Sequence, residues 1–237
     1  MSGNYKLLAL IPARSGSKRL KNKNILKLKG KPLLAHAIIA AKKSQIFDKI
    51  ILSTDSKKYA LIGKKFGAEV PFLRPIKFSS SFSPDYEWVN YTINKLKKIN
   101  LKFTHFFILR PTNPFRSEKT IIKAWKKYKS SKADSLRAVS LCSNHPYKMW
   151  YKDGKFIKPL FKKKNKSQPV YNCQYQSLPK IYSQNASLEI SKTNVLKNNK
   201  SITGKKIMPF FSNKIESLDI NYKEDYLKAK KITRDEF

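Results

Sequence analysis

The stretch "LLALIPARSGSKRLKNKN" (residues 7–24) joins two unlike halves. Residues 7–11 are apolar and the run stops at Pro12, which reads as a short buried strand. Of the last eleven residues five are basic: Arg14, Lys18, Arg19, Lys21 and Lys23. Such a strand either delivers a loop that grips phosphates or merely passes through a lysine-rich surface. The rest of the chain has to decide.

Downstream, apolar spacing alternates between two periods. "KPLLAHAIIAAKK" (31–43) places Leu33, Leu34, Ala37, Ile38 and Ala41 on one helical face, with Pro32 in the first turn. "KIILST" (49–54) reads as a strand. "SKKYALIGKKFG" (56–67) reads as a helix closed by Gly67, and "DYEWVNYTINKLKK" (85–98) has Val89, Ile93 and Leu96 at helical spacing. "THFFIL" (104–109), a helix opening at Ser117, and the strand "SLRAVSL" (135–141) continue the series. Strand–helix alternation predicts an α/β class: a three-layer α/β/α, Rossmann-like arrangement with a mostly parallel sheet.

After residue 141 the texture changes. Pro, Asn and Tyr enter with no helical period, and an extended arm or β-ribbon is expected over about 141–180. "NASLEI" returns to core-like character. "IESLDINYKEDYLKAKKI" is expected to supply a strand end, a turn and a final helix. No repeat or low-complexity linker divides the chain, so residues 1–237 are read as one domain.

With 41% hydrophobic residues a substantial core is available. No apolar run is long enough for a membrane helix, and no signal peptide is read, which makes the cytoplasm the expected compartment. Cys142 and Cys173 have no metal-ligand spacing, and a disulfide is disfavoured in a reducing compartment. The net charge of +36 invites nucleic acid as a partner. However, 44 of the 51 basic residues are scattered lysines, which a solvated surface accounts for. The seven arginines are more telling. Five of them, Arg14, Arg19, Arg74, Arg110 and Arg116, stand beside strand ends or prolines, and arginine offers a rigid fork of donors for phosphate or carboxylate.

Ligands of open parallel sheets bind beyond the carboxyl ends of the strands. Three such ends carry polar loops: "PARSGSKR", "STDS" and "RPTNPFR". The first has a single glycine, Gly16, and so fits neither the dinucleotide fingerprint nor the Walker phosphate loop. Instead, small Ser15, Gly16 and Ser17 let backbone N–H groups approach an anion, while Arg14, Lys18 and Lys23 neutralise it. A triphosphate suits that combination. Asp55 is read as a helix N-cap or a ligand contact. His36 is read as structural, and His145 is placed in the arm, where it could reach a subunit contact. Arg116 is expected to pair with a nearby acid.

At this point "IPARSGSKRLKNKNI", followed in order by "GKPLLAHAI", "ILSTDS", "FLRP", "LRPTNPFR" and "SLDIN", resembles the acylneuraminate cytidylyltransferase family, the CMP–sialic acid synthetases. The resemblance covers nearly the whole chain. It implies transfer of a cytidylyl group from CTP to the anomeric hydroxyl of an acidic nonulosonic sugar, with Mg²⁺ assisting and pyrophosphate leaving, for surface glycan synthesis. It implies a homodimer formed through the arm. Arg14 and Lys18 would stabilise charge on the leaving pyrophosphate. Ala13, Arg14, Ser15, Gly16, Ser17, Lys18, Lys23, Asn24 and Arg74 would bind the nucleotide, Arg110 and Asn185 the sugar, and Asp219 and Asn221 the metal.

The chain departs from the family's pattern in four places. The D-x-D acids near the C-terminus read Asp219-Ile220-Asn221, where Asn221 could ligate the metal through its carbonyl, orient Asp219 or hold a metal-bound water. Arg110 stands where sialic acid synthetases carry Gln, and an arginine there could pair with the substrate carboxylate or reach a phosphate. Ser183-Gln184 replaces Arg-Pro before Asn185, and Ser81 stands where many members have Asp. These changes leave nucleotidyl transfer in place and open the identity of the acceptor. The alternatives are another sugar or sugar-1-phosphate with a different NTP, an inactive nucleotide-binding homologue, or a nucleic-acid-binding protein.

Overall fold

The computed structural model describes residues 4–165 and 168–234. Six strands build the main sheet: β1 (Leu7–Pro12), β2 (Lys49–Ser53), β3 (His105–Ile108), β4 (Ser135–Leu141), β5 (Tyr182–Lys192) and β6 (Ile207–Phe211). They lie in the order β6-β4-β5-β3-β1-β2. β1 runs parallel to β2 and β3, and β6 runs parallel to β4. β5 alone runs the other way, wedged between β3 and β4. The mostly parallel sheet expected from alternation is present, and its one reversal comes from the strand beyond the arm.

The helices are α1 (Leu33–Ser44), α2 (Lys57–Lys65), α3 (Asp85–Lys98), α4 (Glu118–Lys129), α5 (Val195–Asn199) and α6 (Lys223–Arg234). β1 shows why they form two layers. Its Leu7, Ala9 and Ile11 pack with α1, α2 and α4 through Leu34, Ile38, Tyr59, Ile121 and Trp125. Leu8 and Leu10 face the opposite way and pack with Trp88, Val89 and Leu96 of α3 and Leu196 of α5. A strand covered on both faces needs apolar residues at every position rather than at alternate ones, which is what residues 7–11 supply. Ser56 and Ser117 cap α2 and α4 by accepting from the N–H groups of Tyr59 and Thr120.

One expectation needs correcting, and one strand has to be added. Residues 212–222 contain no strand. Ile220 is fully buried and donates its N–H to the Thr112 carbonyl at 2.8 Å, a single tether rather than a ladder. β6 was not read from the sequence: Pro209 lowers its strand character, and it is tolerated because β6 forms the sheet edge.

The arm is an antiparallel hairpin of Trp150–Asp153 with Phe156–Pro159, a second short ladder, and 3₁₀ turns around Val170, Cys173 and Leu178. Trp150, Tyr151, Phe156, Ile157 and Phe161 are exposed on it. His145 is buried at the arm's base, where Nδ1 accepts from Tyr147 N–H and Nε2 donates to the Pro179 carbonyl. Both cysteines are free thiols.

Candidate nucleotide site

The loop leaving β1 is held from three sides. The Ala13 N–H donates to the Ser53 carbonyl at 3.0 Å. Ser15 donates its N–H and hydroxyl to the two carboxylate oxygens of Asp55, at 2.8 and 2.9 Å. Asn24 is buried, and its Nδ2 donates to the Arg14 carbonyl at 3.0 Å. Asp55 is therefore neither the cap of α2, which is Ser56, nor a free ligand; it fastens the loop. A Cβ added to Gly16 would meet nothing within 4 Å, so space remains beside the loop backbone.

The loop walls a cleft of about 250 Å³ beyond the carboxyl ends of β1 and β3. Arg14, Ser17, Lys18, Arg19, Lys23 and Asn24 line one side. Arg74, Ser81, Asp85, Trp88, Arg110 and Thr112 line the other. Sequence reasoning missed Asp85 and Trp88 because they read as the first turn of an amphipathic helix, and only the packing of α3 turns them inward.

The cleft's charge is strongly asymmetric. Among the described residues, Arg14, Lys18, Arg19, Lys23 and Arg74 have no carboxylate within ion-pair distance. Arg14 donates only to the Ser79 carbonyl, at 3.3 Å. Arg74 is buried, donates to the Ser53 hydroxyl and carbonyl at 3.0 and 2.7 Å, and lies 4.5 Å over the Trp88 ring. Burial lowers its pKa to about 10, so it stays charged at neutral pH. Burial, helped by Arg19 and Arg14 and opposed by Asp219, lowers Lys23 to about 8.

The far end is neutralised internally. Arg110 donates to both Asp85 oxygens, at 3.3 and 2.6 Å, and to Glu189 Oε1 at 2.7 Å, while Arg137 pairs with Glu189 Oε2 at 2.8 Å. Burial opposes the charge of Arg110, but Glu189 and Asp85 outweigh it and raise its pKa. Asp85, also opposed by burial, is held below its ordinary value by Arg110. Arg110 thus reaches the cleft with its guanidinium already engaged by two carboxylates.

Asn185 does not line this cleft. It sits in a bulge of β5, where Ala186 has φ +55° and the register shifts between Gln184 and Glu189. Its Oδ1 accepts from Ser187 N–H at 3.2 Å, and its Nδ2 is buried without a partner. The "RPTNPFR" loop holds the bulge: Asn113 Nδ2 donates to the Asn185 and Leu218 carbonyls, and Arg116 donates to those of Ser187 and Arg110. Arg116 therefore binds carbonyls rather than pairing with an acid, although Glu216 lies in its electrostatic reach.

Asp219 and Asn221 flank buried Ile220 and touch: Asn221 Nδ2 donates to Asp219 Oδ2 at 2.6 Å. The other oxygen, Asp219 Oδ1, is buried and unpartnered. A bare buried carboxylate oxygen fits a divalent cation, which favours hard oxygen donors. No group of three or more metal-binding side chains occurs among the described residues. Asp225, in the first turn of α6, accepts from the N–H groups of Asn221 and Tyr222.

These features agree with the comparisons. Over 233 residues the chain is 35% identical to the CMP-N,N'-diacetyllegionaminic acid synthase of Legionella pneumophila, covering 96% of each. It is 32% identical over 225 residues to an N-acylneuraminate cytidylyltransferase of Escherichia coli, covering 93% of this chain and 50% of that one. A solved structure of CMP:2-keto-3-deoxy-manno-octonic acid synthetase complexed with CTP has the same fold, with a TM-score of 0.70 over 98% of this chain and 100% of that one, at 12% identity. The cytidylyltransferase family model matches residues 8–233, so the chain belongs to the cytidylyltransferase family of nucleotidyltransferases.

Proposed function

We propose that this enzyme activates a nonulosonic acid with CTP, forming the CMP-sugar and pyrophosphate for surface glycan synthesis. The observation that carries the reading is the cleft's imbalance: four cations without carboxylate partners, Arg14, Lys18, Arg19 and Lys23, on the phosphate-loop side, and a closed ion network across from them. A triphosphate matches the first side. The relatives named above supply the acceptor class.

The chemistry asks for position and charge neutralisation rather than a covalent intermediate. The sugar hydroxyl attacks the α-phosphorus as the bond to the β-phosphate oxygen breaks. Arg14 and Lys18, which no acid neutralises, stabilise the charge gathering on pyrophosphate. Gly16 presents its backbone to the phosphates; Ser15, bound to Asp55, and Ser17, whose N–H donates to the Ser15 carbonyl, shape the loop around it, as Asn24 does through the Arg14 carbonyl. Arg74 fixes the nucleotide side. Asp219 would hold Mg²⁺ through Oδ1, and the ion when bound adds charge neutralisation at the phosphates.

Arg110 orients the acceptor side as part of the Asp85–Arg110–Glu189 network rather than as a free cation. Asn185 contributes from the bulge of β5, where its buried Nδ2 is unpartnered. The reaction belongs in the cytoplasm. The exposed aromatics of the arm suit a homodimer, which light scattering on the intact chain tests.

The deciding measurement is pyrophosphate release with Mg²⁺, each NTP in turn, and a panel of nonulosonic acids. Sugar-dependent release with CTP alone is expected. Arg14→Ala should lower it by roughly 10²-fold or more. Release with another nucleotide or a sugar-1-phosphate would replace the substrate assignment and keep the class of reaction.

A further inference from the structure

Asn221 is the position where this chain gives up the second carboxylate of the family's D-x-D pair. Its amide has a fixed orientation, because Nδ2 donates to Asp219 Oδ2. Oδ1 therefore faces the phosphate loop, where it accepts from Arg19 Nη2 at 2.8 Å and from Lys23 Nζ at 3.2 Å. Arg19 also lies 5.1 Å over the ring of Tyr222, the next residue. An oxygen that already accepts from two cations is poorly placed to take a third. Asp219 Oδ1, by contrast, has no partner at all.

We propose that Asn221 is not a metal ligand but the anchor of a guanidinium: with Tyr222 it holds Arg19 over the phosphate end of the cleft, as a fixed positive charge that binds the leaving pyrophosphate group. The chain then pairs one carboxylate, Asp219, with one built-in cation, Arg19, where a D-x-D pair would present two carboxylates. A neutral amide is what this needs. It orients the guanidinium without cancelling its charge, whereas a carboxylate at 221 would form a salt bridge and weaken the pull on phosphate. Arg19 is a binding residue in this account and Asn221 a positioning residue. The inference rests on the nucleotide reading of the cleft.

The test is a double-mutant cycle on Arg19→Ala and Asn221→Ala. With inorganic pyrophosphate as probe and EDTA present, calorimetry should show each single variant binding about tenfold more weakly, the loss expected for one charge-assisted contact. The double variant should be no worse than Arg19→Ala alone. Hydrogen exchange of residues 15–24 in the ligand-free protein should rise in both single variants and stay protected in Asn221→Asp, which keeps an acceptor for Arg19. Mn²⁺ binding, read by electron paramagnetic resonance, should fall in Asp219→Asn and hold in Asn221→Ala. The proposal is overturned if Asn221→Ala loses Mn²⁺ as Asp219→Asn does, or if it leaves both loop exchange and metal-free pyrophosphate affinity unchanged. Wild-type protein that binds neither CTP nor pyrophosphate overturns the nucleotide reading, and with it the role given to Arg19. The exchange data then still report whether Asn221 anchors the loop.

Discussion

Arg110 shows how one residue can be both wall and strut. Its guanidinium bridges Asp85 on α3 and Glu189 on β5, so it couples the cleft to the antiparallel strand. Replacing it with Gln would leave Glu189, only 7% exposed, with Arg137 alone. Arg110→Gln should destabilise the fold by about 2 kcal/mol, because buried Glu189 loses one of its two charged partners while Arg137 still neutralises it. Urea unfolding will show this as a lower midpoint at unchanged slope. Pairing it with Glu189→Gln should restore part of the loss. Single residues of the site were unevenly legible. Arg14, Lys18, Lys23 and Asn24 announce themselves because one contiguous loop carries them. Asp85 does not, because its role depends on Arg110. Arg19 was legible as an arginine suited to phosphate, but its tie to Asn221, which lies far along the chain, was not.

Elements were read well where local chemistry defines them. α3 spans residues 85–98 as its spacing predicts, and serine caps mark the starts of α2 and α4. β5 and β6 escaped notice for a physical reason: their places in the sheet come from pairing across tens of residues, which no local period records. β3 carries a testable element-level property. Its first residue, His105, is packed among Tyr5, Trp125 and Tyr128. Burial, with a smaller push from Lys192, lowers its pKa from 6.5 to about 4. Between those values the unfolded chain holds a proton that the folded chain refuses. The stability linked to this residue is therefore complete above pH 6.5 and is lost as pH falls towards 4. His105→Phe should keep the aromatic cluster and flatten the dependence of melting temperature on pH in that window.

At the scale of the whole molecule, the +36 charge acts in two opposite ways. It draws anionic substrates towards a cleft that is itself unbalanced, and it makes the folded chain repel itself. Added salt screens the repulsion, because the Debye length falls from about 30 Å at 0.01 M to about 8 Å at 0.15 M. The melting temperature should therefore rise with NaCl across that range in differential scanning fluorimetry, while initial rates at subsaturating substrate should fall.

The wedged position of β5 also bears on how the chain assembles during synthesis. β3 and β4 emerge from the ribosome well before residues 182–192, yet in the finished sheet they never touch; a slot one strand wide lies between them. Until the arm has been made and looped aside, the nascent chain carries two open strand edges facing that slot, each able to capture the wrong partner. The strand that fills this slot is thus the keystone, with only the edge strand β6 still to follow, and it brings with it the bulge at Asn185 and the anchor Glu189. The gap between β3 and β4 and the acceptor side of the cleft are filled in one event, so a chain that stops before β5 holds the phosphate loop but neither a continuous sheet nor the network around Arg110.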